Sequence, residues 1–223
     1  YPEIRRVSRQ ALQTMATALG PAWLPWMVRE LRTRLDRGFM LPVRSSSVLS
    51  ALQALTAQMP SSGSLDTSLQ ELLSEAMFEL ERQMDASKEE MEDDAMARSN
   101  VPEAKRPKGP EMMFAAGQFC SHGKVLELIW ALDRKLQGES MEADSSDAAR
   151  PRSLVFLRRV EELMTRALAG LCLNASFVYA NQVKASSDLL TFVAKLLEGR
   201  GAKQAVSQEE TKAKPKLLDE VIS

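Results

Sequence analysis

The segment from Leu19 to Val43 constrains the fold most, because it contains one whole helix with its start and stop signals. It reads LGPAWLPWMVRELRTRLDRGFMLPV. Gly20-Pro21 breaks the preceding pattern, and proline is favoured in the first turn of a helix, where its missing N–H costs nothing. Apolar residues then recur on one helical face, at Leu24, Met27, Val28, Leu31 and Leu35. Gly38 follows Arg37 in the position of a glycine that ends a helix.

The same design recurs along the chain and predicts eight helices. Their stripes lie at about 3–18, 21–37, 43–58, 66–86, 110–122, 125–136, 152–172 and 177–198. Aromatic residues make up only 5% of the chain, and no stretch alternates with the period of two that a strand needs. Successive helix pairs are spaced by roughly 40 residues, the period of HEAT and armadillo units. We therefore predict an all-α fold, an α-solenoid of HEAT/armadillo-like antiparallel helix pairs, with a compact helical bundle as the alternative.

Polar segments divide this predicted solenoid into parts. We expect two HEAT-like helix pairs in residues 1–86 and a charged linker at 87–110. Two further pairs follow in 111–199 with a polar loop at 138–151, and 200–223 form a charged linker with the start of another helix. Because helical patterns are already under way at both termini, we expect the chain to be a piece of a longer protein.

Several local expectations follow from the stripes. The inner face of the first helix is predicted to consist of Ile4, Val7, Ala11, Leu12, Met15 and Leu19. Asp66 or Thr67 is expected to cap the fourth helix. Cys120 and Cys172 lie among apolar residues, which predicts two buried, reduced thiols of an intracellular protein.

The sequence lacks the residue patterns that catalysis, metal binding or cofactor binding needs. Its one histidine, His122, is two residues from Cys120 and is expected at the end of the fifth helix. Phosphate-binding, dinucleotide-binding and zinc-protease motifs are absent, and the acidic run 89–94 lacks the spacing of an EF-hand. No run of about 20 apolar residues and no signal peptide occurs. We therefore predict a protein that is not an enzyme, with no cofactor, metal, membrane or small-molecule partner.

Arginine is concentrated near the N-terminus and supplies the candidate binding residues. Residues 1–44 contain no lysine, three acidic residues and eight arginines: Arg5, Arg6, Arg9, Arg29, Arg32, Arg34, Arg37 and Arg44. Guanidinium groups bind phosphates and carboxylates in a bidentate manner, so these residues are candidate contacts to RNA or an acidic partner. The alternative is an ordinary solvated helix face with an i,i+4 pair between Glu30 and Arg34. For Trp23 and Trp26, packing against a neighbouring repeat is favoured over stacking on a base.

Three stretches resemble a known family, the very large HEAT-repeat proteins of the small-subunit processome known as down-regulated in metastasis. The first and most specific comprises Leu19-Gly20-Pro21, Trp23-Leu24-Pro25, Glu30-Leu31-Arg32 and Arg37-Gly38-Phe39. The second is VPEAKRPKGPEMMFAAGQF at 101–119, and the third is KVLELIWALDRKLQ followed by LRRVEELMTRALAGLCLN. The sequence departs from the family pattern after Phe39, at Met40-Leu41-Pro42-Val43 and at Ser45-Ser46-Ser47.

This resemblance implies a function that composition and spacing do not supply. It implies a scaffold of the nucleus and nucleolus that supports pre-rRNA processing and 18S rRNA maturation, bound to pre-rRNA and small-subunit assembly factors. The residues alone indicate only a helical-repeat scaffold with an arginine-rich end. A protein-only adaptor, such as a transport receptor that binds acidic peptides, is the alternative function.

Overall fold

The computed structural model describes residues 2–36, 40–59, 63–85, 106–136 and 154–174, and six residues between 187 and 195. Within these ranges the regular elements are helical. The α-helices are α1 (Pro2–Leu19), α2 (Leu24–Arg34), α3 (Met40–Thr56), α4 (Leu69–Asp85), α5 (Gly109–Phe119), α6 (His122–Leu136) and α7 (Leu154–Leu171). Short 3-10 turns, Pro21–Trp23 and Asp66–Ser68, precede α2 and α4.

The helix predictions are confirmed for the described part of the chain, with shifts of a few residues at the ends. Pro110 stands in the first turn of α5, as predicted. Pro21, expected at the start of the second helix, instead begins the 3-10 turn before α2, and the proline in the first turn of α2 is Pro25. Gly20 turns the chain with a φ of 78°, which a residue with a side chain rarely adopts. The predicted stop at Gly38, the loop 138–151 and most of the two linkers lie outside the described residues.

The chain divides into two compact units, residues 1–180 and 181–223. In the second unit the described residues, among them Leu190 and Val193–Lys195, are helical, where the eighth helix was predicted. All seven α-helices named above belong to the first unit. The end of the first two helix pairs at residue 86 and the end of the charged linker at residue 110 remain predictions.

Within the first unit the helices form two layers. The odd-numbered helices α1, α3, α5 and α7 pack side by side, and α2, α4 and α6 form a second row against them. Arg9 and Gln13 of α1 contact Ser46 and Ser50 of α3, so both pairs are 37 residues apart and the two helices run parallel. This two-layer order is that of an all-α helical-repeat solenoid.

The backbones of two helices come very close to each other where α5 crosses α7. A Cβ added to Gly117 would lie 2.0 Å from the carbonyl oxygen of Ala167, and one added to Gly170 would lie 2.0 Å from that of Phe114. Only glycine therefore permits the observed backbone contact. Beyond the crossing, the buried Asn174 amide donates to the carbonyl oxygens of Gly117 (3.0 Å) and Cys120 (2.7 Å), which ties the end of α7 to the end of α5.

The predicted orientation of α1 is wrong. Ile4, Val7, Met15 and Leu19 are 39–63% exposed, while Ala16 on the opposite side is fully buried. Most of the predicted inner face points away from α3, since Arg9 and Gln13 hydrogen-bond to that helix, and among the six predicted residues only Leu12 is half-buried. Helical spacing identifies a stripe, but it does not reveal which side meets the neighbouring helix.

Three local expectations also need correction. Cys172 is exposed, because it lies in the turn after α7 rather than within the helix. His122 is the first residue of α6 and does not end the preceding helix. Asp66 does not cap α4, since its Oδ1 instead accepts a hydrogen bond from the Ser121 N–H (2.7 Å) just before α6.

Candidate partner-binding surface

The α4 helix determines where several of the predicted arginines point. Glu71, Glu75 and Glu79 follow one another at intervals of four residues, so they lie on one face of the helix. Each carboxylate faces a different neighbouring helix: Glu71 meets α2, Glu75 meets α3 and Glu79 meets the start of α5. We call this row the α4 glutamate ladder. The i,i+4 spacing was visible in the sequence, but the partners of these glutamates lie 29–42 residues away and were missed.

Arg44 is buried in the core by this ladder, which contradicts its predicted role as a surface contact. Its side chain is 2% exposed, and its Nε lies 2.9 Å from Oε1 of the fully buried Glu75. The Ser45 hydroxyl donates to the same oxygen at 2.7 Å, and the Arg44 guanidinium lies over the Phe78 ring at 4.5 Å. Arg44 therefore joins α3 to α4 and is unavailable to a partner.

Glu79 satisfies the N-terminus of α5, which has no side-chain cap of its own. Its Oε2 accepts hydrogen bonds from the backbone N–H groups of Lys108 (2.8 Å) and Gly109 (2.7 Å). Burial raises the pKa of the Glu79 carboxyl above the usual 4.5, although the two hydrogen bonds act in the opposite direction. The Glu79 carboxylate therefore joins α4 to the start of α5, although burial removes part of its hydration.

Two arginines of α2 approach the remaining member of the ladder. Arg32 lies 3.4 Å from Glu71 Oε2 and also reaches the Glu71 carbonyl oxygen, so it helps to hold α2 against α4. Arg29 lies farther from the same carboxylate, at 3.9 Å, and its side chain is 61% exposed. Exposed pairs of this kind contribute about 0–1 kcal/mol, so Arg29 can exchange Glu71 for a ligand at little cost.

The arginines of α1 differ in their accessibility. Arg6 is 64% exposed and pairs with Glu3 at 3.0 Å one helical turn away. Arg5 and Arg9 are partly buried, and Arg9 donates to the Ser46 hydroxyl of α3 at 3.4 Å. Of these three residues, Arg6 is the one whose charged end is mainly in solvent.

Exposed aromatic and cationic side chains lie along α2 and the turn before it. Trp23 and Trp26 are 50% and 44% exposed and pack edge to face, with ring centroids 6.2 Å apart. Arg29 lies one turn beyond Trp26, and Arg34 is 79% exposed with only a long 3.8 Å pair to Glu30. We call Trp23, Trp26, Arg29 and Arg34 the tryptophan–arginine surface. The two tryptophans are thus less covered than the sequence predicted.

Cys120, at the end of α5, is buried and does not offer a reactive thiol. Burial raises the pKa of the Cys120 thiol to about 12, so it stays protonated and unreactive at neutral pH. Among the described residues, no group of three or more His, Cys, Asp or Glu side chains could hold a metal ion. No helix in the same part of the chain is long and apolar enough to cross a membrane. Arg37 lies outside the described residues.

The two layers of stacked helices in residues 1–180 make this chain a helical-repeat protein. Its sequence matches the UTP20 domain, described as the U3 small nucleolar RNA-associated protein 20 domain, over residues 1–197. The chain therefore belongs to that family, whose members are components of the small-subunit processome in ribosome biogenesis. This family is the one that the three sequence stretches resemble. Its members are structural components of the processome in the nucleus and nucleolus.

Proposed function

We propose that this chain is a non-catalytic scaffold segment that supports pre-rRNA processing and 18S rRNA maturation within the small-subunit processome. The family match over residues 1–197 carries the proposal. The two-layer helical order supports it, because stacked repeats present extended surfaces on which several partners can assemble. Pre-rRNA and small-subunit assembly factors are the proposed partners.

We further propose that the tryptophan–arginine surface is the part of this chain that meets pre-rRNA. Arg29 and Arg34 are the most exposed arginines of α2, and their ion pairs to described residues are long, at 3.9 and 3.8 Å. Guanidinium groups neutralise phosphates, and exposed indole rings stack on unpaired bases. Arg6 supplies a further exposed charge on α1, whereas Arg5, Arg9 and Arg32 serve chiefly helix packing.

The role in assembly is tested by purifying the tagged full-length protein from nuclear extract, with and without RNase. Pre-rRNA and small-subunit assembly factors should be recovered with the protein, and the RNA should be lost after RNase treatment. Recovery of transport cargo or signalling proteins without ribosomal precursors, unchanged by RNase, would contradict it and would favour the protein-only adaptor. An Arg29→Ala/Arg34→Ala variant examined in parallel should recover less pre-rRNA than the unaltered protein.

A further inference from the structure

Phe78 is the aromatic residue of α4, and its ring is exposed but firmly positioned. Its side chain is 41% exposed. The guanidinium of Arg44 lies over the ring, 4.5 Å from its centre. Arg44 is itself held by the buried Glu75 at 2.9 Å and by the Leu35 carbonyl oxygen at 3.4 Å. One face of the Phe78 ring therefore rests on a rigid neighbour, and the part that meets solvent lies away from that neighbour.

The contacts between α2 and α4 place Phe78 just past the C-terminal end of α2. The arginines of α2 pair with Glu71 in the first turn of α4. The Leu35 carbonyl, at the end of α2, is joined through Arg44 to Glu75, one turn further along α4. Later residues of α2 thus meet later residues of α4, so the two helices run in the same direction. Phe78 follows three residues after Glu75, on the side of α4 that carries Glu71.

This arrangement sets the distance between Phe78 and the exposed tryptophans. Nine residues separate Trp26 from Leu35, and three separate Glu75 from Phe78. At ~1.5 Å per residue, the rings of Trp26 and Phe78 lie ~18 Å apart along the helix axes. A stacked strand advances ~3.4 Å per nucleotide, so this distance corresponds to about five nucleotides.

The chemistry of Phe78 suits a base better than a phosphate. A flat ring that keeps one side open can stack on any base, because every base has a π-face. The guanidinium beneath the ring holds it in place before a ligand arrives, so little side-chain freedom is lost on binding. Glu81 and Arg82 follow one turn further along α4 and balance each other in charge. Phe78 therefore offers stacking without added charge.

We propose that Phe78 is a second stacking position for pre-rRNA, at the opposite end of the surface from Trp23 and Trp26. The phosphate contact of Arg29 lies between the two ends. The ligand is an unpaired strand of about five nucleotides, whose terminal bases stack on the tryptophans and on Phe78. This inference rests on the proposed RNA contact of the tryptophan–arginine surface, and it adds a length and a far end to that contact.

Substitution of Phe78 tests the proposal with single-stranded RNA oligonucleotides of increasing length. Their binding to the 223-residue chain is followed by anisotropy. Phe78→Leu keeps an apolar side chain but removes the flat ring, so it should weaken binding of strands of about five nucleotides or more by about fivefold or more. A strand of about three nucleotides is too short to span both ends and should be affected little. The slope of log K against log salt should stay the same, because no charge is lost.

Two further variants separate stacking from structure. Phe78→Tyr keeps the ring and should retain the affinity of the unaltered chain. Trp130→Leu is the matched control, because Trp130 is 40% exposed on α6 and should change RNA affinity less than about twofold. Urea denaturation establishes that the three variants remain folded.

The outcomes distinguish this inference from the proposed function. Unchanged affinity in Phe78→Leu, with a loss in Arg29→Ala/Arg34→Ala, would overturn the inference alone. An equal loss in Trp130→Leu or in Phe78→Tyr would show that the ring of Phe78 is not a defined stacking position, and would also overturn it. No effect of Arg29→Ala/Arg34→Ala would contradict the proposed RNA contact, and this inference with it.

Discussion

Arg44 is 2% exposed, and its ion pair with Glu75 stands between α3 and α4 where neither group meets water. The second carboxylate oxygen of Glu75 has no hydrogen-bond partner among the described residues. The negative charge of Glu75 is therefore stabilised by the guanidinium of Arg44 and the hydroxyl of Ser45, which both bind the first oxygen. Replacing Arg44 with alanine should lower the free energy of unfolding by about 3–5 kcal/mol, because it leaves a buried charge unpaired. Urea denaturation measures this loss.

The control for Arg44 is Arg34→Ala, which removes the same charge from a side chain that is 79% exposed. It should change the free energy of unfolding by no more than about 0.5 kcal/mol. A double Arg44→Leu/Glu75→Leu variant should recover much of the loss, since it leaves no unpaired charge. Equal stabilities of the Arg44 and Arg34 variants would show that the buried pair is not needed by the fold.

Glu79 makes part of the stability dependent on pH. Because its folded pKa is raised above 4.5, the folded protein keeps the proton to higher pH than the unfolded chain does. The contribution of Glu79 to stability is therefore greatest below pH 4.5, falls as the pH rises from 4.5 through the raised pKa, and is constant above it.

Glu79→Gln tests this effect because it keeps an oxygen acceptor for Lys108 and Gly109 but cannot ionise. Its stability relative to the unaltered chain should rise through the same pH window, as measured by urea denaturation at a series of pH values. Glu79→Ala lacks the acceptor and should lose about 0.5–2 kcal/mol at neutral pH, as other helix caps do. A glutamine variant whose difference from the parent stays constant across pH would refute the assigned cause.

The two cysteines should differ in reactivity. Cys172 is exposed, whereas Cys120 is fully buried with its pKa raised to about 12. At pH 8 a maleimide should therefore label Cys172 rapidly and Cys120 only when the chain unfolds, because the thiolate is the reactive form. Mass spectrometry of the native and urea-unfolded protein counts the labels, and rapid native labelling of both would show that the end of α5 opens readily.

At the scale of elements, the crossing of α5 and α7 depends on two glycines. Alanine at Gly117 or Gly170 would place a Cβ 2.0 Å from a backbone oxygen of the opposite helix, so the helices would have to separate. Each substitution should cost about 1–3 kcal/mol or more, which is the usual range for overpacking. Thermal and urea unfolding both measure it.

Gly123 provides the matched control for this prediction. It lies in the first turn of α6, and a Cβ added there would meet nothing within 4 Å. Gly123→Ala should be neutral or stabilising by up to about 1 kcal/mol, because alanine restricts the unfolded chain. If Gly117→Ala were as mild as Gly123→Ala, the close contact between α5 and α7 would not exist in solution.

Helix positions followed from the sequence because stripe, proline and glycine signals are local. The crossing at Gly117 and Gly170 did not, since nothing in either segment indicates which helix it meets 53 residues away. The same reason explains the error for α1. Its apolar stripe was recognised and expected to face the core, but most of the stripe is exposed. Contacts between elements depend on partners distant in sequence, and a single sequence does not reveal them.

At the scale of the whole molecule, the solenoid could be predicted because every helix carries only one apolar stripe and must stack on others to bury it. The candidate surface was predicted less well. Counting charges placed Arg44 with Arg29 and Arg34, although the first is buried by Glu75 and the others are in solvent. A charge count records how many arginines there are, whereas the burial of Arg44 depends on Glu75, a partner 31 residues away.

The proposed contact between this scaffold segment and RNA lies on the tryptophan–arginine surface. Its most direct test is the affinity of the purified chain for a labelled single-stranded RNA, measured over a series of salt concentrations. Arg29→Ala/Arg34→Ala should weaken binding and reduce the slope of log K against log salt by about 0.7 for each lost phosphate contact. Lys124→Ala/Arg159→Ala removes two exposed cations elsewhere and should leave the slope unchanged. An equal slope for the Arg29/Arg34 variant and the unaltered chain would contradict the claim.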